Sequence, residues 1–159
     1  MGIFDKLKKK KENEVLEQNL EEKARPGAVF VMQLLFDKPC PMPEKETMLS
    51  IMEKHLTEVD NFAYDEKVVG YGAKKYLAEF KDAKVPPQLM IMSCTEFDGN
   101  KIGQIERSQM WDCENSEEIL ETCKYQIFAN DMMAAVLPYK ERAEMDMDYL
   151  EALVEMFPT

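Results

Sequence analysis

A chain of 159 residues, 45% hydrophobic and 32% charged, can bury one sizeable core but is too short for two. Its formal charge of −11 argues against nucleic acid and anionic lipid as direct partners, because like charges repel. Four cysteines, Cys40, Cys94, Cys113 and Cys123, contain no CxxC pair; they argue against a disulfide framework and read as free thiols of a reducing cytoplasm.

The charge is unevenly placed. Seven basic and six acidic residues among the first 26 leave −12 on the remainder. That opening segment is poor in apolar residues and closes on Pro26 and Gly27, so it reads as a charged tail unable to fold alone. Ile3, Phe4 and Leu7 beside its lysines offer at most a marginal membrane or partner contact. No apolar run follows the lysines, as a secretory signal would require. Nor does any stretch approach the roughly 20 apolar residues of a spanning helix. The expectation is a cytoplasmic protein with a tail over residues 1–26 and a single domain over 27–159.

From residue 28 to 36, "AVFVMQLLF" is a nearly continuous apolar run and predicts a buried central strand. Three prolines break it, and Pro43 opens a helix with Met48, Ile51, Met52, His55 and Leu56 at helical spacing. Residues 61–64 predict a strand, Gly70 and Gly72 a loop, and residues 75–80 a second strand with Tyr76, Ala78 and Phe80 on one face, a helix over Ala73 to Phe80 being the alternative. The run "QLMIMSC" predicts a further buried strand, paired with residues 75–80 as a hairpin. Asn115 with Glu118 fits a capping box opening a helix over 116–123. "KYQIFAN" predicts the last strand and Asp131 a turn cap. Pro138 introduces a final helix with Met147, Leu150, Leu153, Val154 and Phe157 on one face. This order predicts an α+β fold: an antiparallel or mixed sheet with helices on one face, the ferredoxin-like arrangement being one candidate.

Chemistry is sparse. Cys113 precedes a helix start, where backbone N–H groups favour a thiolate, but Asp112, Glu114, Glu117 and Glu118 oppose it. The only histidine, His55, falls on or beside the buried face of its helix and reads as structural. Arg107 could orient an anionic group. Cys113, Arg107 and His55 are therefore the weak catalytic candidates. No phosphate-loop, dinucleotide or hydrolase motif is present, and no ligand spacing implies a metal or cofactor. Thirteen methionines suit an adaptable surface but fill irregular cores equally well. Trp111, the only tryptophan, is expected to close the core.

Gln109, Trp111 and Asp112, a short helix, a strand ending in Asn130 and Asp131 before Met132, Met133 and Ala134, and the helix start Tyr139 to Arg142 resemble the bacterial domain of unknown function 4261 family. The upstream "PPQLMIMSCTEFD" and the strand at Ala28 extend the resemblance over most of residues 27–158. It implies a soluble bacterial protein of a family with no catalytic residue or cofactor to carry over. Members continue past Thr159, which implies a short form or a fragment here.

The sequence favours a non-catalytic binding domain whose acidic body meets a basic protein partner. The alternative is a thiol- or carboxylate-dependent enzyme near Cys113 and Arg107. Self-association through uncovered apolar surface is the third expectation.

Overall fold

Alternation organises the first strand. In β1 (Val31–Phe36) Met32, Leu34 and Phe36 are buried, whereas Val31 and Gln33 face outward, the pattern of a strand with one covered face. The computed structural model describes residues 29–80 and 82–158. The charged tail read for residues 1–26 and the expected strand start at Ala28 lie outside the described residues.

Helix α1 (Lys45–Leu56) follows, burying Met48, Met52 and Leu56 at i, i+4, i+8. Strands β2 (Val59–Tyr64) and β3 (Val68–Ala73) form a hairpin. A two-stranded ribbon, β4 (Ala78–Glu79) with β5 (Lys84–Val85), leads to β6 (Gln88–Met92) and the short β7 (Thr95–Glu96). A 3-10 turn at Gly99–Lys101, α2 (Gln104–Gln109) and α3 (Ser116–Thr122) precede β8 (Tyr125–Met132) and α4 (Tyr139–Met156).

The main sheet is antiparallel, ordered β1-β8-β6-β3-β2, with β7 continuing β6 along β8. Helices α1 and α4 pack on each other over its inner face, where Tyr71, Leu89, Ile91 and Ile127 join Met48, Met52, Met145 and Leu153 in one apolar cluster. The α+β class is as expected. The ferredoxin-like order is not: there a single strand separates the two strands joined by the first helix, whereas here β8, β6 and β3 stand between β1 and β2.

Several elements differ from expectation for identifiable reasons. β1 is an edge strand, and the central position falls to β6, between β8 and β3. Gly70 and Gly72 belong to β3, not to a loop. A Cβ at Gly70 would sit 2.6 Å from the Phe62 ring, so glycine there makes room for an aromatic lying across the strand. Phe62 is the extra residue of a bulge in β2 between Asn61 and Ala63. The expected strand over 75–80 shrinks to β4, and β6 pairs with β3 and β8. On α4 the buried face is Met145, Tyr149, Ala152, Leu153 and Met156, while Met147, Leu150 and Val154 face solvent.

Asp131 caps no turn. It is the one fully buried charged residue among those described, on the inner face of β8. Arg142, in the first turn of α4, donates from Nε to Oδ2 at 2.7 Å and from Nη2 to Oδ1 at 2.9 Å. The Phe30 amide donates to Oδ1 at 2.5 Å, and Asp131 N–H donates back to the Phe30 carbonyl at 3.1 Å. One carboxylate thus fastens the lead-in to β1, the end of β8 and the start of α4. Removing one member of a buried pair strands the other charge, at a cost of about 3–5 kcal/mol. Asp131→Asn is expected to lower unfolding free energy in urea by about 3 kcal/mol. Asp131→Leu with Arg142→Met is expected to recover more than half of that loss.

Candidate functional site

The three catalytic candidates lie on separate elements with separate partners. His55 is wedged between α1 and α4, its Nε2 2.8 Å from Glu155 Oε2 and its Nδ1 3.4 Å from Glu151 Oε2. Lys54 donates to the same Glu155 carboxylate at 2.7 and 2.8 Å. These donors hold the Glu155 carboxyl below its usual range. His55 is a helix-to-helix bridge.

Arg107 is a clamp. Its Nη1 donates to both Glu117 carboxylate oxygens at 2.9 and 2.7 Å, its Nη2 to the Gly99 carbonyl at 2.9 Å, and its Nε to the Ile102 carbonyl at 3.2 Å. It binds the 3-10 turn, α2 and α3 into one excursion around Phe97 and Leu120. Gly99 allows this closeness, since a Cβ there would lie 2.1 Å from the Leu120 carbonyl oxygen.

Cys113 is half-buried in the turn between α2 and α3. Among the described residues no hydrogen bond or ion pair joins it to His55 or Arg107. Its neighbour Trp111 is 82% exposed, which corrects its expected place in the core. No residue of α2 is buried, so the turn has no apolar face for an indole to close. The Asn115 side chain makes no cap bond, although α3 begins where the pattern predicted.

Perturbed ionisation is found elsewhere, under α4. Asp146 lies 3.8 Å from Arg142 Nε, and one of its oxygens is buried without a partner. Burial, then the Asp131 charge, pushes its carboxyl up to about 6, against the pull of Arg142. Tyr149 is fully buried, its hydroxyl donating to the Met90 carbonyl at 2.9 Å. Tyr71, also buried, has an unpaired hydroxyl pushed up to about 12 by desolvation. Tyr71 and Tyr149 are themselves members of the apolar cluster between sheet and helices.

The other side of the sheet offers a surface. The strand registers place Val31, Gln33 and Leu35 beside Gln126, Phe128, Asn130 and Met132, then Gln88, Met90 and Met92, then Val68, Gly70 and Gly72. None of these outward residues of β1, β8, β6 and β3 carries a formal charge, in a chain that is 32% charged. Phe62, Val31, Met92, Phe128 and Met132 are exposed there. Met92, expected in a buried strand, is therefore part of an open face, with Met90 half-buried on the same side.

At the β1–β8 end this face runs into a cleft of about 410 Å³ lined by Gln33, Gln126, Phe128, Glu96, Asp98 and Ile102, among others. Gln33 Nε2 donates to Gln126 Oε1 at 2.7 Å, and Gln126 Nε2 to the Glu96 carbonyl at 3.1 Å. Side-chain amides on an apolar floor suit recognition of an extended backbone. None of the three catalytic candidates lines the cleft.

Among the described residues no group of three His, Cys, Asp or Glu side chains converges as a metal site, and no helix is long and apolar enough to cross a membrane. No protein-family profile, curated protein or solved structure matches the chain.

Asp146 yields a pH test. Its folded carboxyl titrates near 6 against an ordinary 3.8, so the unfolded chain releases this proton first as pH rises. The native state is then progressively destabilised between those values, and the full cost persists above pH 6. Asp146→Asn is expected to stabilise by up to about 2 kcal/mol at neutral pH. The gain should shrink toward zero near pH 4, as read by urea denaturation at both pH values.

Proposed function

We propose that this protein is a non-catalytic binding domain whose docking surface is the open face of the sheet, and that its partner is a basic protein. The observation that carries the reading is the absence of formal charge from the outward residues of four adjacent strands, in a chain whose net charge is −11. Charge-depleted centres with charged surroundings are the anatomy of protein interfaces. The acidic body steers a cationic partner toward the face, and desolvated apolar contact then holds it. Flexible thioethers at Met90, Met92 and Met132 adapt to the shape of what docks.

The same net charge disfavours nucleic acid, and repulsion between like-charged copies disfavours self-association as the main use of the face. The reading takes the chain as a bacterial cytoplasmic protein of the domain of unknown function 4261 family. Supporting it are the Gln109, Trp111, Asp112 run and the Asn130, Asp131 and Tyr139 to Arg142 segments. The last two supply the buried Asp131–Arg142 pair, a structural role for that motif.

Methionine methyl NMR tests the surface directly. A synthetic strand-forming peptide of alternating lysine and valine is expected to shift the methyl signals of Met90, Met92 and Met132. The signals of Met147 on the outer helix face and of buried Met48 should stay in place. Apparent affinity should fall about tenfold between roughly 50 and roughly 300 mM salt, and Phe128→Lys should abolish the shifts. Shifts at Met147 instead, no shifts, or face signals that move on dilution of the protein alone would each refute the reading.

A further inference from the structure

The backbone of one cysteine meets the thiol of another. Cys40 lies in the connection from β1 to α1, held between Pro39 and Pro41, and Cys94 lies in the break between β6 and β7. The Cys40 N–H donates to Cys94 Sγ at 3.4 Å, across 54 positions of sequence. Both side chains are half-buried against the edge of the apolar cluster. The donor nitrogen is one bond of about 1.5 Å from the Cys40 Cα, so the Cys94 sulfur lies within about 5 Å of that Cα, inside the reach of the Cys40 side chain. Neither residue belongs to a strand or helix, so closing a bond between them breaks no strand or helix pairing. The other two cysteines have no such neighbour among the described residues: the Cys113 and Cys123 amides bond to the Met110 and Ile119 carbonyls in their own turns.

We propose that Cys40 and Cys94 form an oxidant-responsive thiol pair, closed to a disulfide by a peroxide and reopened by a thiol reductant. The Cys40 N–H is aimed at Cys94 Sγ, while burial, and then the proximity of Cys94, pushes the Cys40 thiol up from its ordinary range; the first attack is therefore assigned to Cys94. The Cys94 thiolate attacks one peroxide oxygen: an S–O bond forms, the O–O bond breaks, and the departing hydroxide takes a proton to leave as water. Cys94 is then a sulfenic acid. The Cys40 sulfur attacks the Cys94 sulfur: the S–S bond forms, the S–O bond breaks, and the leaving hydroxide takes the Cys40 proton as a second water. Two thiols lose two electrons to one molecule of hydrogen peroxide.

The closed bond ties the β1–α1 connection to the β6–β7 break, past the end of β8, which lies between those strands. Glu96, two residues beyond Cys94, lines the cleft. Oxidation therefore acts two residues from the cleft lining.

The test uses the intact, reduced chain and about one equivalent of hydrogen peroxide, followed by peptide mapping without reductant. The expected product is a Cys40–Cys94 linked peptide pair that forms at a rate independent of protein concentration and disappears on adding dithiothreitol. Cys113 and Cys123 should remain thiols. In Cys40→Ser, Cys94 should be trapped by dimedone as the sulfenic acid; in Cys94→Ser, oxidation of Cys40 should be at least about tenfold slower. Linkage of any other pair, a disulfide between chains, or equal oxidation of all four thiols would overturn the proposal. The wild-type map alone decides the matter if either variant fails to fold.

Discussion

A carboxylate with no exposed surface is costly to bury unless every charge and lone pair around it is answered. Asp131 meets that condition through Arg142 from α4 and the backbone of Phe30. The arrangement is possible only if β1 lies against β8 and α4 begins directly above both. Sliding β1 by one residue along β8 would turn Met32, Leu34 and Phe36 outward and would also remove the Phe30 amide from Asp131. The pair therefore selects a register that the apolar pattern alone would favour less sharply. Asp146 lies just beyond it, 3.8 Å from the same arginine, and burial, then the Asp131 charge, raises its titration.

From that fastening the molecule divides into two unlike sides. The inner side carries the helices, their buried methionines and tyrosines, and the His55 bridge. The outer side is a sheet face whose β1, β8, β6 and β3 residues carry no charge. The α2–α3 excursion belongs to neither: Phe97 and Leu120 are buried outside the main apolar cluster, and Arg107 does for it what Asp131 does for the domain. Trp111 and Cys113 thus belong to a clamped surface turn. Chemistry-bearing residue types that look promising together in sequence are dispersed, while the residues that do converge are uncharged and suited to contact.

Much of the architecture was legible where one periodicity dominates. Met48, Met52 and Leu56 identify the buried stripe of α1, and Pro138 marks the start of α4. Where two patterns compete, the sequence is ambiguous. On α4, Met147, Leu150 and Val154 are spaced as plausibly as Met145, Tyr149, Ala152 and Met156; only the sheet beneath decides between them. In β3, Val69, Tyr71 and Ala73 alternate as a strand should, yet the glycines between them suggest a loop, because the Phe62 ring that requires Gly70 is eight residues away in sequence. β1 looked central because its apolar run is continuous, although half of that run faces outward. The open face was legible only in retrospect, since uncharged residues at alternate positions of separate strands form no continuous signal. Nor did sequence alone connect Cys40 with Cys94, or Asp131 with Arg142.

The register of β1 also says something about how the chain comes together. β2, β3 and β6 are neighbours in sequence and can pair as a meander soon after they exist, whereas Gln33 meets Gln126 across 93 positions. A nascent chain must therefore carry β1 unpaired until β8 has left the ribosome, and the free edges of β1 and β6 are exposed throughout that interval. β8 enters last between two waiting strands, so closure of the sheet is a late event with a large loop entropy to overcome. The final strand thus completes the sheet from inside, joining the edge strand β1 to the rest.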